Sequence, residues 1–78
     1  MLTGPQLKAA RALLRWTAAE LAARSKVSLP TIKRAEGRDG DTAMTAANTE
    51  AVIRALREGG VELIDSNEAG PGVRLLRP

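Results

Sequence analysis

The first half of the chain carries a concentration of cationic side chains. Between residues 8 and 38 the only acidic residues are Glu20 and Glu36. The basic residues of the same stretch are Lys8, Arg11, Arg15, Arg24, Lys26, Lys33, Arg34 and Arg38. Ammonium and guanidinium groups donate hydrogen bonds to phosphate and to the acceptor atoms of guanine, so this charge pattern favours a nucleic acid as partner. The net charge of the whole chain is a modest +3, which agrees with that interpretation without requiring it.

The side chains needed for other chemistry are scarce. The sequence contains no Cys and no His, so thiolate and imidazole metal ligands, a cysteine nucleophile and a histidine base are all absent. We therefore expect no metal and no cofactor. Glu36, Asp39 and Asp41 are close in sequence, but a glycine-rich acidic loop beside a basic helix is typical of a solvated connector, and we expect no enzyme activity. Trp16 is the only aromatic residue, which disfavours a stacking platform for single-stranded nucleic acid.

Length and hydropathy limit the architecture and the location. A chain of 78 residues supports one compact core. It has no apolar run near the ~20 residues that a membrane span requires. Because its N-terminus lacks a basic segment followed by an apolar stretch, no secretory signal is predicted. We expect a cytoplasmic protein without membrane contact.

A first helix is predicted from about residue 5 to 15. Thr3, Gly4 and Pro5 form a start signal, because Thr caps helices well and Pro tolerates the first helical position. The apolar stripe predicted to face the core consists of Leu7, Ala10, Leu13 and Leu14. On the other side of the helix Lys8, Arg11 and Arg15 repeat at helical spacing, either as a solvated face or as a set of phosphate contacts.

Two further short helices are predicted on either side of a brief turn. The segment from Thr17 to Glu20 has the pattern of a capping box, and this helix ends near Ser25. The next helix is capped by Ser28 and covers about residues 29–36. The methyl side chain of Ala22 allows two helices to cross closely, with Val27 in the wedge between them. This spacing is typical of a helix-turn-helix, although ordinary helical hairpins share it.

The second half is predicted to contain one helix and a β-hairpin. A helix over about residues 46–58 has an apolar face made of Ala47, Ala51, Val52, Ile53 and Leu56. The segments 61–64 and 73–76 have strand composition and flank a loop rich in turn residues. The predicted fold is therefore mainly α, with four short helices and a C-terminal hairpin. We divide it into residues 1–60 and a hairpin extension, residues 61–78.

Residues 16–37, WTAAELAARSKVSLPTIKRAEG, resemble the helix-turn-helix of the phage Cro/repressor-type (XRE) family. The positions that match the family pattern are Thr17, Glu20, Leu21, Ala22, Val27, Ser28, Thr31, Ile32, Glu36 and Gly37. The sequence departs from the pattern at Ala18, where the family often has Gln, and at Lys26, where it usually has Gly. The family residue at the latter position adopts a positive φ. Either Lys26 adopts it at a cost of about 1 kcal/mol, or the turn differs.

The resemblance implies a lambda-repressor-like domain whose helix at about 29–36 enters the major groove of double-stranded DNA. By matched position, the residues implied to contact base edges are Leu29, Pro30, Lys33 and Arg34. The residues implied to contact phosphate are Thr17, Ala18, Arg24, Lys26, Ser28, Thr31 and Arg38. The alternative is that these charges are only solvated, and that Leu29 and Pro30 only pack at the helix start.

The resulting expectation is a sequence-specific transcriptional regulator, a repressor that acts as a homodimer. The predicted dimer surface is apolar and consists of Leu63, Ile64, Val73, Leu75 and Leu76. The alternative for this hairpin is that it only covers the protein's own helices. Two other functions also fit the sequence: the antitoxin component of a toxin–antitoxin pair, with a protein partner, and a protein-binding module similar to coactivators.

Overall fold

Four helices and a two-stranded antiparallel sheet form the structure. The computed structural model describes residues 2–65 and 70–76. The elements are α1 (Gly4–Leu14), α2 (Ala18–Ser25), α3 (Leu29–Glu36), α4 (Ala46–Gly59), β1 (Val61–Ile64) and β2 (Gly72–Leu75). This mainly α architecture with a C-terminal hairpin confirms the prediction. Part of the predicted loop between the strands, residues 66–69, lies outside the described residues.

Each helix begins at a hydroxyl side chain. Thr3, Thr17, Ser28 and Thr45 each accept a hydrogen bond from the backbone N–H three residues further on. At Thr17 the capping box is reciprocal, because Glu20 Oε1 also accepts from the Thr17 N–H at 3.0 Å. Such a cap stabilises a helix by about 1 kcal/mol. These caps separate the first half of the chain into three short helices.

The core draws a fully buried side chain from every helix and from β1. These side chains are Leu7, Leu21, Ile32, Leu56 and Val61. Two predicted core positions are wrong: Leu13 is 39% exposed, and Ala47 is also exposed. Each lies at the margin of its helix's apolar stripe, which is narrower than the sequence pattern indicated. Within the described ranges, no helix has both the length and the apolar character needed to cross a bilayer.

The hairpin is held against α1 by the buried side chain of Gln6. Its Nε2 donates to Ile64 O at 3.0 Å and to Gly72 O at 3.1 Å, where the two strands are paired next to the loop that connects them. Its Oε1 accepts from the Thr3 N–H at 2.9 Å, which completes the cap of α1. One amide therefore joins the start of the helix to the hairpin.

The loop that follows α3 is attached to the N-terminal segment. Thr3 and Asp41 form an isolated antiparallel bridge, and the Gly4 N–H donates to Gly40 O at 2.9 Å. The two segments approach so closely that a Cβ on Gly4 would lie 2.0 Å from Arg38 O. A glycine is therefore required at this position, and the contact fixes the loop between α3 and α4.

Candidate nucleic-acid interface

The turn between α2 and α3 has the backbone conformation that the sequence left open. Lys26 ends α2 with φ 62° and ψ 24°, and its N–H donates to Ala22 O at 2.9 Å. Val27 is 5% exposed and packs in the core, as predicted, and Ser25 Oγ accepts from its N–H at 3.2 Å. The positive φ expected from the family resemblance is therefore present, with a lysine rather than a glycine.

The two sides of α3 differ in character. Ile32, Ala35 and Glu36 are buried, whereas Pro30, Lys33 and Arg34 are exposed. Leu29 and Thr31 are half-buried at the margins of the exposed side. We call Leu29, Pro30, Lys33 and Arg34 together the outer face of α3. It combines two cations with two apolar side chains.

The buried side of α3 is tied to α1 by an ion pair. Arg11 Nε and Nη2 donate to the two carboxylate oxygens of Glu36 at 2.6 and 2.7 Å, and Arg11 Nη1 donates to Trp16 O at 2.9 Å. The hydrogen bonds from Arg11 to Glu36 raise the pKa of the Arg11 guanidinium above its ordinary value, against the opposite effect of burial. Two sequence-based interpretations are thereby corrected. Arg11 does not belong to a solvated or phosphate-binding row with Lys8 and Arg15, and Glu36 does not belong to a solvated acidic loop.

The hydroxyls at the start of α3 are bonded to each other. Ser28 Oγ donates to Thr31 Oγ1 at 2.8 Å and accepts from the Thr31 N–H at 3.3 Å. At the start of α2, Thr17 is exposed and Ala18 half-buried, and the first N–H groups of a helix have no partner within it. The start of α2 therefore presents backbone N–H groups suited to an anion, and at the start of α3 the Thr31 hydroxyl, which accepts from Ser28, keeps its own proton to donate.

A groove separates α3 from the beginning of α4. The residues that line it include Thr31, Arg34, Arg38, Thr45 and Asn48. Arg38 is exposed, and its Nε donates to Asp41 O at 2.7 Å, which orients the guanidinium along the loop. Thr45 and Asn48 were not among the predicted site residues. Their signal in the sequence was the cap at Thr45, because the start of a helix is a natural position for an anion.

Arg24 is separated from these residues. Its guanidinium lies 4.3 Å from the ring centroid of Trp16. Trp16 in turn packs at the C-terminal end of α4, where a Cβ on Gly59 would lie 2.5 Å from Trp16 Cη2. The groove lies at the other end of α4, a helix of 14 residues and thus about 20 Å long. The structure therefore brings Arg34 and Arg38 together but not Arg24.

The five apolar residues predicted as a dimer surface fall into two groups. Leu63 and Val73 are paired across the strands and pack against the core, and Ile64 is half-buried. Leu75 is 54% exposed and Leu76 39% exposed. One part of the hairpin therefore covers the protein's own helices, and the side chains of Leu75 and Leu76 are exposed to solvent.

The outer face of α3, the start of α2, the turn at Lys26 and the groove beside α4 are all formed by consecutive segments of residues 17–48. The exposed polar side chains of α3 are hydrogen-bond donors, and the one carboxylate of that helix, Glu36, is turned inward to Arg11. Comparison with protein-family models and with curated proteins finds no match to this chain.

Proposed function

We propose that the protein is a helix-turn-helix DNA-binding protein of the XRE type, a cytoplasmic transcriptional repressor that places α3 in the major groove of double-stranded DNA. The observation that carries the proposal is the division of α3 into two sides. Ile32 and Ala35 anchor it in the core, Glu36 is held by Arg11, and the cationic and apolar side chains face outward. A helix with this division is fixed in the fold and still available to a partner.

The outer face of α3 supplies the contacts to bases. In this docking mode the first residues of the helix lie nearest the base edges, which assigns Leu29 and Pro30 to apolar contacts. Lys33 and Arg34 follow one turn later and donate to acceptor atoms, with Arg able to do so bidentately.

The surrounding residues supply the contacts to phosphate, which position the protein without specifying sequence. At the start of α2 these are Thr17 and the N–H of Ala18. Around α3 they are Lys26, Ser28, Thr31 and Arg38, to which we add Thr45 and Asn48 because they line the same groove. We leave Arg24 out, because its guanidinium is stacked on Trp16.

A homodimer is part of the proposal. One α3 helix spans only a few base pairs, and dimers of such proteins contact two half-sites about 34–36 Å apart. The protomer measures 32 Å along its longest dimension, a length close to that spacing. Leu75 and Leu76, which are exposed at the end of the hairpin, are the apolar side chains that a second copy would cover.

The test of DNA binding is selection of duplexes from a random pool, followed by affinity measurement by fluorescence anisotropy. We expect one enriched sequence, bound more tightly than random duplex. The double variant Lys33→Ala with Arg34→Ala should lose about 100-fold in affinity for it. Arg24→Ala is the matched control, since it removes an exposed arginine outside the interface. Equal affinity for selected and random duplex would defeat the proposal.

The test of the dimer is sedimentation of the free protein. Leu75→Ser with Leu76→Ser should give a monomer where the parent chain gives a dimer. Ala47→Ser, which replaces an exposed apolar residue of α4, should leave the dimer intact. A parent chain that sediments as a monomer both alone and on the selected duplex would contradict the dimer.

The same exposed leucines favour a second candidate, the antitoxin of a toxin–antitoxin pair. In that case α3 binds DNA as above, and the end of the hairpin binds a protein of a different sequence. A neighbouring toxin gene whose product co-purifies with the parent chain but not with the Leu75→Ser and Leu76→Ser variant would favour the antitoxin. A coactivator-like module is the further alternative, and it requires function to survive Lys33→Ala with Arg34→Ala.

A further inference from the structure

The outer face of α3 offers hydrogen-bond donors and apolar groups but no free acceptor. Its polar atoms are the ammonium of Lys33 and the guanidinium of Arg34, neither of which can accept a hydrogen bond. Within α3 and its cap, the carboxylate of Glu36 is occupied by Arg11. Ser28 and Thr31, whose hydroxyls are bonded to each other, belong to the proposed phosphate contacts and not to the outer face. The helix also contains no Asn or Gln.

This restriction matters because the four bases differ in what they show in the major groove. Guanine presents two acceptors, O6 and N7, and thymine presents the O4 acceptor and a methyl group. Cytosine presents the N4 amino donor, and adenine is recognised through its N6 donor together with N7, by Asn or Gln. A face without acceptors has no partner for either amino group.

We propose that the half-site bound by α3 is specified by guanine and by the thymine methyl group, and not by the amino groups of adenine or cytosine. This inference rests on the proposed function. Arg34 is assigned to guanine O6 and N7, because its planar fork fits two acceptors in one plane. Leu29 and Pro30 are assigned to the thymine methyl, since they offer only apolar contact.

The spacing along the helix limits where the two bases lie. Pro30 and Arg34 are four residues apart and both exposed, which places them about 6 Å apart along the axis of α3. Base pairs are stacked about 3.4 Å apart. The thymine and the guanine are therefore separated by no more than about two base-pair steps in the half-site.

The experiment replaces single atoms of the DNA. After selection from a random pool, each guanine of the half-site is replaced by 7-deazaguanine, which lacks the N7 acceptor, and each thymine by deoxyuridine, which lacks the methyl group. We expect one 7-deazaguanine position to lower affinity by ~10-fold. We expect one deoxyuridine position, within two steps of it, to lower affinity by ~3-fold.

Protein variants connect each atom to its side chain. Arg34→Ala should make the duplex with 7-deazaguanine and the unmodified duplex bind equally, and Leu29→Ala should reduce the difference between thymine and deoxyuridine. Arg24→Ala is the matched control and should retain both differences. Thermal unfolding of each variant verifies that it folds.

The outcomes separate this inference from the proposed function. A selected half-site that binds tightly but is insensitive to 7-deazaguanine and deoxyuridine overturns the inference and leaves sequence-specific DNA binding intact. A half-site whose essential position is an adenine or cytosine amino group also overturns it. Equal affinity for every duplex in the pool overturns the proposed function itself.

Discussion

Arg11 of α1 and Arg34 of α3 lie on opposite sides of α3 and have different roles. Arg11 belongs to α1 but donates two hydrogen bonds to Glu36 on the inner side of α3 and a third to Trp16 O, between α1 and α2. Its side chain is only 22% exposed. Arg34 is exposed on the outer side, where it lines the groove beside α4. The same guanidinium chemistry holds α3 in place on one side and remains available to a partner on the other.

This contrast shows that the role of an arginine here depends on where it lies relative to α3 and not on its charge alone. Removing a group on the inner side should change the free energy of unfolding, because the other member of the ion pair stays poorly solvated. Removing a group on the outer side should change only DNA affinity.

The largest effect is expected from Glu36→Ala. The substitution leaves Arg11 without the carboxylate that accepts two of its hydrogen bonds, in a site where that carboxylate side chain is 9% exposed. We expect a loss of about 3 kcal/mol in the free energy of unfolding, measured by urea denaturation.

The matched control for that variant is Glu62→Ala. Glu62 pairs with Arg74 across the hairpin, with Arg74 Nε to Glu62 Oε1 at 2.8 Å, but the Arg74 side chain is 64% exposed. Water replaces a partner at such a site, so a loss below about 1 kcal/mol is expected. Equal losses for the two variants would contradict the structural role assigned to the inner ion pair.

A smaller but distinct loss is expected from Gly4→Ala. The added Cβ would lie 2.0 Å from Arg38 O, so the loop after α3 has to move. We expect about 2 kcal/mol of destabilisation. Gly40→Ala is the control in the same pair of segments, since a Cβ there meets no atom within 4 Å. Similar melting temperatures for Gly4→Ala and the parent chain would mean that the loop yields without cost.

The elements of this fold were predictable because their signals are local. The caps at Thr3, Thr17 and Ser28 each lie within a few residues of the helix start that they define. The same holds for the outer face of α3, where helical spacing alone separates Lys33 and Arg34 from Ile32 and Ala35.

The contacts between distant segments were not predictable in the same way. Arg11 and Glu36 are 25 residues apart, and Gln6 is 58 residues from Ile64. A sequence pattern identifies which side chains are polar, but only the fold determines which of them meet. For that reason the sequence did not indicate that the guanidinium of Arg24 lies over the ring of Trp16.

The turn at Lys26 gives the smallest predicted effect and the clearest separation of stability from binding. Lys26 has φ 62°, a conformation that side chains with a Cβ disfavour. Lys26→Gly should therefore raise the free energy of unfolding by up to about 1 kcal/mol. Lys26→Ala keeps the Cβ and should stay near the parent value. Both variants lose the same charge beside α3, so both should weaken binding to the selected duplex equally, by a few-fold, with a shallower dependence on salt.

If the glycine variant is no more stable than the alanine variant, the turn relaxes away from positive φ. If neither variant loses affinity, Lys26 does not contact phosphate, and the interface is confined to the outer face of α3, the start of α2 and the groove beside α4.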